Sequence, residues 1–327
     1  MPTTAVIIVT TNEAHFLPET LGRLARQTLA PTRTIVVDNG SSDDSVELVE
    51  RDYPSAQLVR MGRNSGFAVA NNAGVRAADG CELIALLNAD AYPAEDWLER
   101  LVAAAEQDGD SAMWGARMMK AREPELLDGA GDVYHVAGLA DRRYHGQPLA
   151  EVADALAPAE TFSVCGGAAL YRRDVFLEVG GFDEDYFLYY DDVDLAFRIR
   201  LAGWRGRYVP DAVVAHVGSA TTGLESDLSL YHIQRNIVWT WVKCMPWPLW
   251  VLYLPLHLYA NASMTAMYVL RGRGKVVGRA KLDALRGLRR QLRKRRAIQR
   301  VRRVGAAELL PVLSRGLGIF VPRALRG

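Results

Sequence analysis

The sequence predicts an α/β fold, a mostly parallel sheet covered by helices on both faces, with a helical extension at its C-terminal end. Three observations predict it. The first 115 residues alternate short β-rich runs with helical patterns, as parallel sheets with crossover helices require. The β-rich runs are almost wholly apolar, which is the mark of strands buried on both faces. From Pro246 the composition changes: Pro246 to Leu270 holds no Asp, Glu, Lys or Arg, and a run dense in arginine follows. A chain of 327 residues, half of them hydrophobic, is long enough for one large domain and such an extension.

Strands are expected at Ala5 to Thr10, Thr34 to Val37, Leu58 to Met61, Leu83 to Asn88 and Ala112 to Ala116, with helices between them. Each of the first four ends in a polar cluster: Thr10-Thr11-Asn12-Glu13, Asp38-Asn39-Gly40-Ser41, Arg63-Asn64-Ser65-Gly66 and Asn88-Ala89-Asp90. Ligands of open α/β sheets bind at the carboxyl ends of the strands, so the four clusters point to one cleft. Residues 117–160 lose periodicity and mix Gly, Pro and charge. No element is predicted there, only an insertion or a flexible substrate loop. Order returns with Phe162 to Tyr171, a Gly180-Gly181-Phe182 turn, an aromatic loop leading into a helix, and a strand pair around Gly206 to Val209 and Val213 to His216.

The aromatic loop and helix, FLYYDDVDLAFRIR from Phe187 to Arg200, is the most informative stretch. Asp191 and Asp192 suit a helix N-terminus, where exposed N–H groups favour carboxylates, while Leu195, Ile199 and Ala202 repeat at helical spacing. Capping explains one aspartate. Three of them, Asp191, Asp192 and Asp194, beside Tyr186, Tyr189 and Tyr190, repel one another unless a cation or a substrate hydroxyl uses them. Asn88 and Asp90 point to the same side of an extended backbone, where an amide and a carboxylate suit a hard divalent cation shared with phosphate oxygens. Alone, Asp38 reads as a turn residue and His216 as an interior histidine. Neither GxGxxG nor GxxxxGK[ST] occurs, which disfavours dinucleotide oxidoreductases and P-loop NTPases.

In combination these motifs resemble family 2 glycosyltransferases, inverting enzymes of the GT-A fold, a Rossmann-like arrangement. The resemblance covers about residues 4–245. It rests on Val9 to Glu13, Val37 to Ser41, Asn64 to Phe67 with Asn71 to Gly74, Leu87 to Asp90, Gly180 to Glu184, Asp191 to Leu195 with Arg198, and Gly203-Trp204 leading to His216. Within the family the sequence is most similar to bacterial rhamnosyltransferases that extend lipid-linked glycans. The resemblance implies a nucleotide-binding half (1–116) and an acceptor-binding half (117–245); by composition an apolar interfacial segment and a basic C-terminal tail (246–327) follow. It implies that Thr10, Asn12, Glu13, Asp38, Asn64, Asn72, Asn88, Ala89 and Asp90 bind the nucleotide sugar, with Asp38 on the uracil or thymine. Asn88 to Asp90 corresponds to the family's DxD motif, with Asn88 where Asp is frequent, so Asp90 and His216 would hold Mg²⁺ or Mn²⁺. Asp192 matches the catalytic base and Asp191 the acidic residue before it. Tyr190 and Trp204 would stack on sugar or acceptor. Tyr231 and Arg235, with Asn236, are candidates for acceptor or phosphate binding. The implied donor is dTDP-rhamnose, with UDP-sugars as the alternative, and the implied acceptor is a polyprenyl-linked glycan.

The net charge of +1 conceals a polarised chain. Residues 271–327 carry 18 Lys and Arg against Asp283 and Glu308, while residues 1–270 carry 21 against 36 acids. A basic end of this kind seeks an anionic partner or the acidic body itself. Residues 246–270 carry Trp247, Trp250, Tyr253, Tyr259 and Tyr268 together with three prolines, which favours lying in a membrane surface over crossing it, with the basic run on anionic lipid at the cytoplasmic side. The basic run lacks interleaved aromatics, which argues against nucleic acid. A nucleotidyltransferase would show a basic, glycine-rich loop after the first strand, where Thr-Thr-Asn-Glu-Ala-His stands instead. A catalytically inert membrane scaffold is the rival from another class. Cys81, Cys165 and Cys244 form no pairing pattern, and Met-Pro-Thr-Thr lacks a basic leader, so a cytoplasmic protein peripheral to the inner face of the membrane is expected. The sequence does not decide between a monomer and a homo-oligomer.

Overall fold

The alternation of the first 115 residues becomes a four-stranded parallel core in the computed structural model, which describes residues 1–218 and 226–316. The strands β1 (Thr4–Thr10), β2 (Arg33–Asp38), β3 (Gln57–Arg60) and β4 (Leu83–Asn88) pair in parallel with β1 at the centre. The successive residues of β1 alternate between two cores. Val6 and Ile8 pack against α1 (Leu17–Ala25), α2 (Ser45–Asp52) and α4 (Trp97–Gln107) through Leu21, Val49 and Leu101. Ala5 and Ile7 pack against α3 (Phe67–Ala77), α5 (Arg173–Glu178) and α6 (Asp191–Leu201) through Val75, Phe176 and Leu195. Both faces are therefore buried, which is why these strands read as continuous apolar runs.

Beyond β4 the sheet is mixed. β5 (Ala91–Pro93) leaves the strand-end turn and pairs antiparallel with β12 (Arg205–His216). β6 (Ser111–Lys120) runs parallel to β12, and β11 (Ala168–Arg172) lies antiparallel between β4 and β6. The pair of strands expected around 206–216 is the single strand β12. Its pairing with β6 shifts register between Val209 and Val213, where Pro210 has no N–H to donate.

The stretch expected to be structureless, 117–160, is ordered. It completes β6 and forms β7 (Leu127–Gly129), the hairpin β8 (Asp132–Tyr134) with β9 (Ala140–Arg142), two short 3₁₀ turns and β10 (Ala159–Glu160). Its strands are too short to carry a periodic pattern, and tertiary partners define them. Tyr134 stacks on Phe162 and meets Phe197 edge-on.

The C-terminal region is helical: α7 (Asp227–Cys244), α8 (Trp247–Leu270), α9 (Gly274–Val301) and the short α10 (Ala306–Leu309). α9 docks on α7 at such close range that a Cβ on Gly287 would lie 2.5 Å from the Trp239 ring. Lys294 bonds Asp183 and Asp185, and Arg295 donates to the carbonyls of Val242 and Met245. Part of the basic run thus rests on the acidic body. Its other face, including Arg279, Arg286, Arg289, Arg293 and Arg296, stays exposed. No helix among the described residues is long and apolar enough to cross a membrane.

Candidate active site

The carboxyl ends of β1, β2 and β4 and the end of β12 border a cavity of about 400 Å³, lined by Glu13, Asn39, Asn64, Asn88, Asp90 and His216 among others. Asp90 reaches it because β5 pairs with β12 directly after the turn, setting Ala91 opposite His216. The turn is pinned by Thr20, which donates to the Ala89 carbonyl, and by the Val217 N–H on the Asp90 carbonyl. Asp90 Oδ1 then lies 3.3 Å from His216 Nε2, and Asp90 Oδ2 accepts the Gly218 N–H at 3.1 Å.

His216 is held from behind. Its Nδ1 faces Asp128 Oδ2 at 2.9 Å, and the same oxygen accepts from Arg142 Nη1 at 2.8 Å. Burial opposes charge on Asp128, yet hydrogen bonds from His145 and His216 and the Arg142 charge hold its carboxyl well below the usual carboxylate range. Burial likewise opposes charge on His216, and the flanking Asp128 and Asp90 outweigh it, raising the imidazole to about 9. Asp90 and His216 Nε2 form a two-ligand donor set with the other ring nitrogen anchored on a carboxylate. That set fits a divalent cation which takes its remaining ligands from phosphate and water. No group of three or more His, Cys, Asp or Glu ligands occurs among the described residues.

A second cavity of about 300 Å³ adjoins the first. Asn88, Phe67, Arg142, Leu188 and Tyr189 line both, and Asp132, Cys165, Gly166, Tyr190, Asp191, Asp192 and Ile233 line the second. Its acids come from the start of α6 and from the β8–β9 hairpin. Asp192 Oδ2 accepts the Gly166 N–H at 3.3 Å and Oδ1 the Val193 N–H at 2.8 Å. Asp191 is buried, with Oδ1 accepting the Asp192 N–H at 3.2 Å. Asp132 is buried and accepts from Ser163 Oγ at 2.8 Å. Burial raises all three carboxyls above their ordinary range. For Asp132 and Asp191 the neighbouring Asp192 charge adds to it, while for Asp192 the Gly166 and Val193 N–H groups and the Arg142 charge work against it.

The loop that delivers this helix is strained. Phe187, Tyr189 and Tyr190 have φ of 68°, 63° and 64°, a region that non-glycine residues occupy only where their surroundings enforce it. Arg235 Nη2 donates to the carbonyls of Asp185 and Tyr186, and Asn236 Nδ2 to those of Leu188 and Tyr189. The Phe67 N–H bonds the Phe187 carbonyl at 2.8 Å, an approach open only because Gly66 lacks a Cβ, which would sit 2.6 Å from that oxygen.

These contacts correct several expectations. Arg235 and Asn236 are buried under the loop and bind its carbonyls, so they hold the site in shape and do not face an acceptor. Tyr231 donates to Asp283 and ties α7 to α9. Trp204 precedes β12 beside Arg172, whose strand partner Leu83 begins β4, and so stands at the opposite edge of the sheet from the cavities. Tyr186 is fully buried, its hydroxyl on Asp194 and Thr240. Asn72 clasps Phe182 through both its N–H and its carbonyl, away from the cavities. Glu13, Asn64, Asn88, Ala89 and Asp90 do line the first cavity. Thr10, Asn12 and Asp38 are not among the residues that line it. Asp38 accepts the Ser41 N–H at 3.0 Å, and Asn12 joins the first two loops through Ser42. Asp128, Asp132, Arg142 and His145 were not foreseen, because all lie in the stretch whose pattern carried no signal.

A family model described as glycosyl transferase family 2 matches residues 5–180. The chain is 29% identical over 299 residues to the N-acetylglucosaminyl-diphospho-decaprenol L-rhamnosyltransferase of Mycobacterium tuberculosis, covering 79% of this chain and 93% of the relative. It is 25% identical over 249 residues to an O-antigen chain rhamnosyltransferase of Salmonella typhimurium, covering 74% and 73%. Its fold is similar to that of a mannosyltransferase from Pyrobaculum calidifontis solved with GDP-Man and Mn²⁺, with a TM-score of 0.55 and 21% identity over 92% of this chain and 85% of that one. The family match spans more than half of the chain, and the sheet, its strand-end cleft and the acidic helix start agree with it: the chain is a glycosyltransferase that belongs to family 2.

Proposed function

We propose that the protein moves a sugar, with rhamnose from dTDP-rhamnose as first choice, from a nucleoside diphosphate to a lipid-linked or polysaccharide acceptor, inverting the anomeric centre. One observation carries the reading: two cavities share a wall, with Asp90 and His216 in the first and Asp192 in the second. The nucleotide sugar occupies the first, with its diphosphate toward Asp90, and the acceptor hydroxyl enters the second. Asp192 takes the proton of that hydroxyl as its oxygen attacks the anomeric carbon from the face opposite the leaving diphosphate. Mg²⁺ or Mn²⁺, held by Asp90 and His216, would offset the charge that grows on the diphosphate. Asp192 suits the base better than Asp191, because of these two carboxylates in the cavity wall it is the less deeply buried. The names of the two rhamnosyltransferase relatives support the sugar and the lipid-linked acceptor.

The membrane surface enters through α8. Trp247, Leu252, Leu258 and Tyr259 are 65%, 64%, 59% and 64% exposed, and the arginines of α9 lie on the adjoining helix. An apolar face beside a basic one suits an anionic bilayer surface.

The test is release of nucleoside diphosphate from dTDP- and UDP-sugars with Mg²⁺ or Mn²⁺ and bacterial lipid extract. Asp192→Asn should lower turnover roughly 10²–10⁴-fold with donor protection against melting retained. Turnover confined to UDP-sugars replaces the donor. A folded, vesicle-binding protein that turns over no donor with any acceptor favours the inert scaffold.

A further inference from the structure

The second cavity has four carboxylates in its wall, Asp132, Asp141, Asp191 and Asp192, and one guanidinium. That guanidinium is Arg142. The β8–β9 register sets it opposite Asp132, and its stem runs past Gly129, where a Cβ would come within 3.2 Å of Arg142 Cδ. Arg142 lines both cavities, and its side chain is one-third exposed. Among the described residues its ion pair is with Asp128 at 2.8 Å and not with Asp192.

We propose that Arg142 is the positioning residue of the base: Asp128 clamps its guanidinium in the wall between the cavities, within the cavity that Asp192 lines and tied away from it, so that the carboxylate stays open to the acceptor hydroxyl. The inference rests on Asp192 being the base. Four carboxylates crowded around one cavity favour a protonated member, and a nearby cation opposes this. A direct Arg142–Asp192 pair would serve the charge equally well and would occupy the oxygens the reaction needs. Anchoring on Asp128 separates the two roles. The other groups facing Asp192 are Asp191 on its own helix, Asp132 and Asp141 on the hairpin, His145, Cys165 and Tyr190 in the cavity wall, and Tyr171 on β11. Arg142 is the one permanent cation among them.

The experiment measures kcat/KM against pH from 5.5 to 9 for the full-length wild type, Arg142→Lys, Arg142→Gln and Asp192→Asn, at saturating Mn²⁺ and with the donor the wild type turns over. Loss of the cation raises the pH at which Asp192 becomes a base. Arg142→Gln should move the acid limb up by about one pH unit, so that its loss against wild type reaches roughly tenfold at the acid end and shrinks as the pH rises. Arg142→Lys should return most of the limb, with donor KM unchanged in both. A uniform loss at every pH, or a raised donor KM with the limb in place, overturns the proposal and makes Arg142 a packing residue or a diphosphate contact. Asp192→Asn that keeps wild-type turnover removes the base itself, which is a separate failure. Melting temperatures within a few degrees of wild type verify that the variants fold, and Arg142→Lys carries the test if Arg142→Gln does not.

Discussion

Asp128 accepts the proton side of His216: Nδ1 stands 2.9 Å from Asp128 Oδ2, on the side of the ring away from Asp90. The bond fixes the ring plane and turns Nε2 toward Asp90 and the first cavity, where a bound divalent cation would take the place of its proton. Carboxylates placed behind ligating histidines in this way sharpen metal affinity by orienting the ring and strengthening its basicity. Asp128→Asn should therefore raise the Mn²⁺ concentration for half-maximal nucleoside diphosphate release by roughly 10–100-fold, with donor KM at saturating Mn²⁺ little changed. An unaltered Mn²⁺ dependence would remove this role from Asp128.

Arg235 should behave as a scaffold. Its guanidinium supplies the carbonyls of Asp185 and Tyr186 and lies 4.2 Å from the Trp239 ring centroid. Arg235→Met leaves those carbonyls without their donor, at a cost of about 1–3 kcal/mol, and releases a loop with three left-handed residues. The melting temperature should fall by roughly 1–5 °C, and kcat should drop as Asp192 loses its placement while acceptor KM holds. A raised acceptor KM at unchanged stability would instead make Arg235 an acceptor contact.

The contrast between Arg235 and Asp90 marks what was legible in the sequence. Asp90, Asn64 and Glu13 follow apolar strands of a parallel sheet, and the strand period alone sets such residues at one edge. The place of Asp192 in a cavity wall was legible because like charges crowded at a helix start need a use. Arg235 and Trp204 misled because polarity and aromaticity do not reveal direction. Arg235 points under a strained loop, and Trp204 stands at the far end of β12. Asp132 and Arg142 escaped because three-residue strands carry no period, and long-range partners such as Ser163 and Asp128 define them.

Acid should loosen the contact between α8 and the hairpin before it reaches Asp128 and Asp183. His257 stacks on Trp241 at 4.1 Å with Nδ1 2.7 Å from the Ala137 carbonyl, and burial, reinforced by the Lys281 charge, lowers it to about 4. The folded state keeps this imidazole neutral, while the unfolded chain takes up a proton near 6.5. Its contribution is complete above pH 6.5 and is lost as pH falls toward 4. Asp128 and Asp183, held below the ordinary carboxylate range, keep their charge through that window. Melting temperatures between pH 8 and 4.5 should fall less steeply for His257→Gln, which retains an N–H for Ala137. Equal slopes for variant and wild type would assign the acid sensitivity elsewhere, first to His232, which burial and Arg235 lower to about 4.

The exposed face of α8 sets two driving forces against each other. Burying one leucine side chain contributes roughly 1.5–3 kcal/mol, and each basic residue near an anionic surface about 1 kcal/mol, reduced by salt. Leu252 and Leu258 face solvent, so Leu252→Glu with Leu258→Glu should leave the melting temperature in place. Binding to vesicles of phosphatidylglycerol and phosphatidylcholine should weaken at least tenfold, because the double change removes two apolar anchors and sets two acids against the lipid. Arg289→Gln with Arg293→Gln should weaken binding less, and only at low salt. Turnover of an acceptor dispersed in detergent should survive both pairs of changes, since neither touches the cavities. The two readouts separate the helix from the site: vesicle binding equal to wild type in the leucine pair would mean that α8 does not meet the bilayer, and lost turnover on the dispersed acceptor would mean that α8 shapes the second cavity through Ala137 and Leu139, against which its Ala260 packs.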